Sequence, residues 1–131
     1  RDFCLSRGLG DVYKRQVTSC AIVSAKTERT AELQITLRSH AMIHAAEGRL
    51  FRKSIADAAA ELGLNIYRFP ENTILVTTAA AWDSTPSDVE KQLAILGRTV
   101  GSPWRRDEKL ATLAALLALR QPNALPTDPI A

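Results

Sequence analysis

Along residues 18–70 the spacing of apolar side chains changes period twice, and that pattern leaves few architectures open. Thr18 to Ser24 (TSCAIVS) mixes Ile22 and Val23 with small residues. After the polar stretch Ala25–Thr30, Leu33, Ile35 and Leu37 alternate with polar neighbours. Two strands joined by a turn, over 18–24 and 32–38, are expected from this. From about Ala45 the period lengthens: Leu50, Phe51, Ile55, Ala58, Ala59 and Leu62 fall at three- and four-residue steps. That spacing predicts an amphipathic helix, with Gly63 as its C-terminal cap. Asn65 to Phe69 then returns to a short β-prone run closed by Pro70, which reads as a strand. Strand, helix, strand is a βαβ unit, in which a right-handed crossover makes the strands parallel and lays the helix on one sheet face.

The rest of the chain reads as helices. One is expected from near Glu71 to Trp82, although Thr73, Ile74, Val76, Thr77 and Thr78 are β-branched and oppose it. Ser84-Thr85-Pro86, followed by Asp88 and Glu90, combines a hydroxyl cap, a first-turn proline and acids near the positive end of the dipole. Val89, Leu93, Leu96 and Val100 are the expected buried stripe of that helix, and Gly101 its end. Ser102-Pro103 is expected to open the last helix, with a face of Leu110, Leu113, Leu116 and Leu117. The tail from 121 to 131 holds three prolines and is expected to be disordered. The expected fold is therefore α/β, in one domain over 17–120. A small sheet with one parallel βαβ unit packs against about four helices, the last two of them an antiparallel pair.

Residues 1–16 are set apart from this reading. Asp11 to Gln16 (DVYKRQ) is the translation of GAT GTG TAT AAG AGA CAG, the end of a transposase-based sequencing adapter. The segment is therefore read as an artefact that replaces the natural start of a metagenomic fragment. Its removal matters for charge. The whole chain has 17 basic and 14 acidic residues; without Arg1, Arg7, Lys14, Arg15, Asp2 and Asp11 the balance is 13 to 12. Bulk basicity then gives no argument for nucleic-acid binding. Cys4 falls in the artefact and Cys20 stands alone, so a disulfide framework is not expected and a reducing, cytoplasmic setting is. The longest apolar run, Leu110 to Leu119, is interrupted by Thr112 and is shorter than the roughly 20 residues of a bilayer span, so no membrane partner is expected.

Asp107-Glu-Lys-Leu-Ala-Thr-Leu-Ala114, placed after the β-β-α-β order, resembles the final helix of ribonuclease H-like nucleases of the Holliday-junction resolvase branch. The likeness covers Leu33 to Phe69 and Asp107 to Leu119. Leu110 stands where that family's pattern has a second aspartate. The resemblance implies an N-terminally truncated ribonuclease H-like fold and metal-dependent nuclease chemistry. Two divalent cations would sit between carboxylates, because in-line attack on phosphate needs both the entering and the leaving oxygen stabilised. Mg2+ is the implied cofactor. Glu47 and Asp107 would be catalytic and metal-binding, with Glu108 as a neighbouring ligand. The family's first aspartate belongs to a strand upstream of Val17, so the fragment itself is expected to be inactive.

Three further features stand beside this. His40 and His44 are four apart, a spacing that on one helix face offers two imidazoles to a metal. Arg49, Arg52 and Lys53, with Trp104, Arg105 and Arg106, could line a phosphate track with stacking from tryptophan. Plainer explanations exist for each group. Glu47 and Asp107 are both expected in first helical turns, where an acid gains about 0.3–1 kcal/mol from the dipole alone. The histidines can be boundary residues, the arginines a solvated face, and Trp104 a wedge between helices. No glycine-rich phosphate loop or Gly-x-Ser-x-Gly context occurs, which argues against P-loop and serine-hydrolase chemistry. The two expectations are a bacterial-type protein resembling ribonuclease H-like metal-dependent nucleases, or a non-catalytic α/β domain binding nucleic acid or a protein partner.

Overall fold

The computed structural model describes residues 17–25 and 32–121. The adapter-like run 1–16, residues 26–31, where a turn or short loop was expected, and the residues from 122 onward lie outside the described residues. The elements run β1 (Ser19–Ser24), α1 (Leu33–Thr36), α2 (His40–Glu61), β2 (Asn65–Pro70), α3 (Ile74–Ala81), α4 (Pro86–Val100) and α5 (Arg106–Leu119). Strands β1 and β2 pair in parallel, with Ser19 opposite Asn65 and Ser24 opposite Pro70. Helix α2 is the crossover between them, so the βαβ unit is present and the chain is α/β, mostly helical.

Strand side chains alternate between faces, and this pair has helices on both. Ala21, Val23 and Phe69 pack on the core cluster Ile74, Leu93, Leu113, Ala114 and Leu117, which α3, α4 and α5 supply. Ile22, with the opposite parity, is buried beyond that cluster, as are Ala56 and Ala59 of α2. Helix α2 contacts both strands, and so does α5. The result is α2, then sheet, then α3, α4 and α5. Parallel strands are buried on both faces for this reason. Helix α3 is the helix on which both α4 and α5 lie, so the last two helices share it as a common neighbour. Gln121, placed in the tail by its sequence, is tied back by the Tyr67 hydroxyl, which donates to its carbonyl at 2.6 Å.

Four expectations need correction. The alternating segment 32–38 is not a strand: Leu33–Thr36 is a single helical turn with Leu33, Ile35 and Leu37 exposed. Its backbone is satisfied locally, with Thr36 N–H bonded to Glu32 O and Leu37 N–H to Leu33 O, both at 2.9 Å. An alternating pattern makes a strand only where a neighbouring strand takes up its backbone groups; here β1 supplies the ladder for β2. Next, α2 begins at His40 rather than Ala45, with Ser39 extended before it. Helix α5 begins at Arg106 rather than Ser102, because Glu108 reaches back to accept the Arg105 N–H at 2.8 Å and sets the helix start there.

The fourth correction concerns which faces are buried. Helix α2 rests on the sheet through Ala56 and Ala59, while Leu50, Phe51, Ile55 and Leu62 are exposed. A 22-residue helix is about 33 Å long, whereas six-residue strands reach about 20 Å. Helix α2 is therefore longer than the strands by roughly 13 Å, so its start overhangs the sheet, and small residues let the second half approach closely. Helix α4 shows the same effect: Leu93 is buried and Val89 half-buried, but Leu96 and Val100 are exposed. Its 15 residues overrun the eight of α3.

The start of α4 is as expected. The Thr85 side chain accepts the Asp88 N–H at 3.2 Å and its hydroxyl donates to Asp88 Oδ2 at 2.7 Å. That hydroxyl, then Lys91, holds the Asp88 carboxyl below its ordinary value. Because the folded value is the lower one, the contribution of Asp88 to stability is present at neutral pH and is lost as pH falls through the folded value. Thr85→Ala is expected to cost about 0.5–2 kcal/mol through the lost cap, measured by urea unfolding. The same variant should move the Asp88 titration upward in NMR.

Candidate functional site

The overhanging end of α2 holds the densest polar group that the structure brings together. With α2 beginning at His40, the positions 40, 44 and 47 follow one another along one helix face. The His44 Nδ1 and Glu47 Oε2 atoms are 3.0 Å apart, and the Nε2 atoms of His44 and His40 are 2.9 Å apart. The two rings meet edge to face, with centroids 4.3 Å apart. One proton arrangement satisfies both contacts when the imidazoles are neutral: His44 donates from Nδ1 to the carboxylate, and its Nε2 accepts from His40 Nε2–H. Glu47 lies two turns into the helix, not in its first turn. Its partner is thus His44 rather than the helix dipole. With the His44 and Glu47 side chains 61% and 54% exposed, the pair contributes at most about 1 kcal/mol.

The acids at the start of α5 have local partners or local reasons. Glu108 accepts the Arg105 N–H as part of the helix start. Arg106 donates to Glu71 Oε2 at 3.1 Å, tying α5 to the segment before α3. Asp107 is exposed in the first turn, where the dipole favours an acid. Helices α2 and α5, which carry Glu47 and Asp107, each contact the strands, α2 from one face of the sheet and α5 from the other. Among the described residues, no group of three or more histidine, cysteine, aspartate or glutamate side chains is placed to hold a metal ion.

The expected phosphate track is divided in the same way. Arg49 and Arg52 belong to α2, where the Arg52 guanidinium folds back to within 3.2 Å of where a Cβ on Gly48 would stand. Arg105 and Arg106 begin α5 on the other side. Trp104 is half-buried and packs against the core cluster. Its indole occupies the space that a side chain at Gly97 would fill, so it wedges α4 and α5 together.

Two features escaped the sequence. A shallow groove of about 470 Å³ lies between α3, α4 and α5, with Leu75, Leu93, Leu110 and Leu113 beside Glu90, Arg106 and Lys109. It exists only once three helices are assembled, and no local pattern announces it. The other is the outward stripe of α2, whose residues were visible but whose burial was assigned to the wrong side. No helix among the described residues is long and apolar enough to cross a membrane. Comparison with protein-family models, curated proteins and solved structures finds no match to this chain.

The wedge can be tested. Alanine is the better helix former by about 1 kcal/mol, yet Gly97→Ala is expected to destabilise by roughly 1–3 kcal/mol because its methyl displaces Trp104. Denaturant unfolding followed by tryptophan fluorescence measures both the loss and the altered indole environment.

Proposed function

We propose that this chain is a non-catalytic α/β domain that binds protein through the outward stripe of α2, with a second copy of the chain as the partner. The observation that carries this reading is the stripe itself. His40, His44, Glu47, Phe51, Ile55 and Ala58 of α2, with Leu62 at its C-terminal cap, follow one another at steps of four and three. The steps of 4, 3, 4, 4, 3 and 4 average about 3.67 residues, so these side chains keep to one face of the helix along its length, the geometry that side-by-side packing of two helices needs. Such a seam is self-complementary about a two-fold axis, because the same residues face one another.

The apolar half of the seam has the greater driving force. Phe51 is 68% exposed, Ile55 53% and Leu62 76%, and fully burying side chains of this kind is worth about 1.5–3 kcal/mol each. Lys53 and Asp57 pair with each other at 2.6 Å, more than 90° around the helix from the stripe at about 100° per residue. They leave the seam free of charge there. Nothing in the placement of Glu47, Asp107 and Glu108 favours the nuclease alternative, since each is accounted for where it stands.

Sedimentation equilibrium over a range of concentrations tests this. The native chain should show a concentration-dependent dimer. A Phe51→Lys, Leu62→Lys chain should remain monomeric with an unchanged helical circular-dichroism spectrum. A native chain that is monomeric at the highest attainable concentration would overturn the reading.

A further inference from the structure

We propose that His40 and His44 form a two-imidazole site for a borderline transition-metal ion such as Zn2+, with Glu47 orienting His44. Both ligands belong to one helix, so the site is complete within a single chain, although His40, His44 and Glu47 continue the stripe proposed above as the dimer seam. Two nitrogens 2.9 Å apart subtend about 90° at an ion held roughly 2.0–2.1 Å from each, and a further ~0.4 Å of separation gives the tetrahedral angle. The rings are thus already close to the separation a chelate needs. Both rings are exposed at the start of α2, where small rotations can open the separation.

Glu47 supplies the second observation. A metal-bound imidazole commonly donates its other ring N–H to a carboxylate, which fixes its tautomer and raises its basicity. Glu47 Oε2 lies 3.0 Å from His44 Nδ1, so His44 presents Nε2 with its lone pair free of a proton. On binding, His40 must move its proton from Nε2 to Nδ1, exchanging it with solvent. The hydrogen bond between the two rings is replaced by two nitrogen–metal bonds, and water fills the remaining positions. Imidazole nitrogen suits Zn2+, Ni2+ and Cu2+, whereas Mg2+ prefers oxygen.

The test is calorimetric titration of the tag-free chain with Zn2+. One ion per chain is expected, and the monomeric Phe51→Lys, Leu62→Lys chain should bind it equally. His40→Ala and His44→Ala should each weaken binding at least tenfold. Glu47→Gln should weaken it about 10–100-fold, the usual effect of losing such an orienting carboxylate. Cys20→Ser should change nothing. Because all three side chains are exposed, circular dichroism should show each variant folded. Absence of binding, or binding that survives both histidine substitutions, would overturn the site. An unchanged affinity in Glu47→Gln would overturn the role of Glu47.

Discussion

A sheet of two described strands has to serve helices on both of its faces, and its small size decides most of what else the molecule does. Two parallel strands about 4.8 Å apart present a strip scarcely wider than one helix. On one side that strip takes Ala21, Val23 and Phe69 into the cluster built by Ile74, Leu93, Leu113, Ala114 and Leu117. On the other, Ile22 is buried on the side where α2 brings Ala56 and Ala59. Alanines permit close approach but cover little area. The larger side chains of α2 are thereby turned outward, and its start extends beyond the strands.

That overhang links the fold to both functional proposals. A helix pinned along only part of one side leaves another face continuous from His40 to Leu62. The polar end of this face brings two imidazoles and a carboxylate together, and the apolar end presents Phe51, Ile55 and Leu62. On the other side of the sheet, the residues that suggested phosphate chemistry have structural work. Glu108 starts α5, Arg106 anchors it to Glu71, and Trp104 fills the space left by Gly97.

The sequence made the parallel βαβ unit, β2 and the capped start of α4 legible, because each has a local signal. Pro70 closes β2, Thr85 and Pro86 open α4, and Gly63 and Gly101 follow helix ends with φ of 72° and 88°. What could not be read locally was set by what lay nearby. Leu33, Ile35 and Leu37 alternate like a strand, yet they have a helical turn because their backbone groups close on themselves. The 3.6-residue period of α2 was correct, but periodicity cannot say which stripe meets the sheet: of the expected stripe only Ala59 is buried, beside Ala56, while Leu50, Phe51, Ile55 and Leu62 are exposed. His40 and His44 were singled out by spacing alone. Their significance depended on where α2 begins, five residues earlier than its apolar pattern.

The central claim is that α2 meets the sheet through small side chains and turns its large ones to the outside. The most direct measurement is urea unfolding of Ala59→Leu beside Phe51→Ala, at concentrations where the chain is monomeric. The account predicts a loss of roughly 1–3 kcal/mol for Ala59→Leu, from overpacking against the strands, and a change within about 0.5 kcal/mol for the exposed Phe51→Ala. The reverse order, with Phe51→Ala costing the 3–5 kcal/mol of a core phenylalanine and Ala59→Leu tolerated, would contradict it.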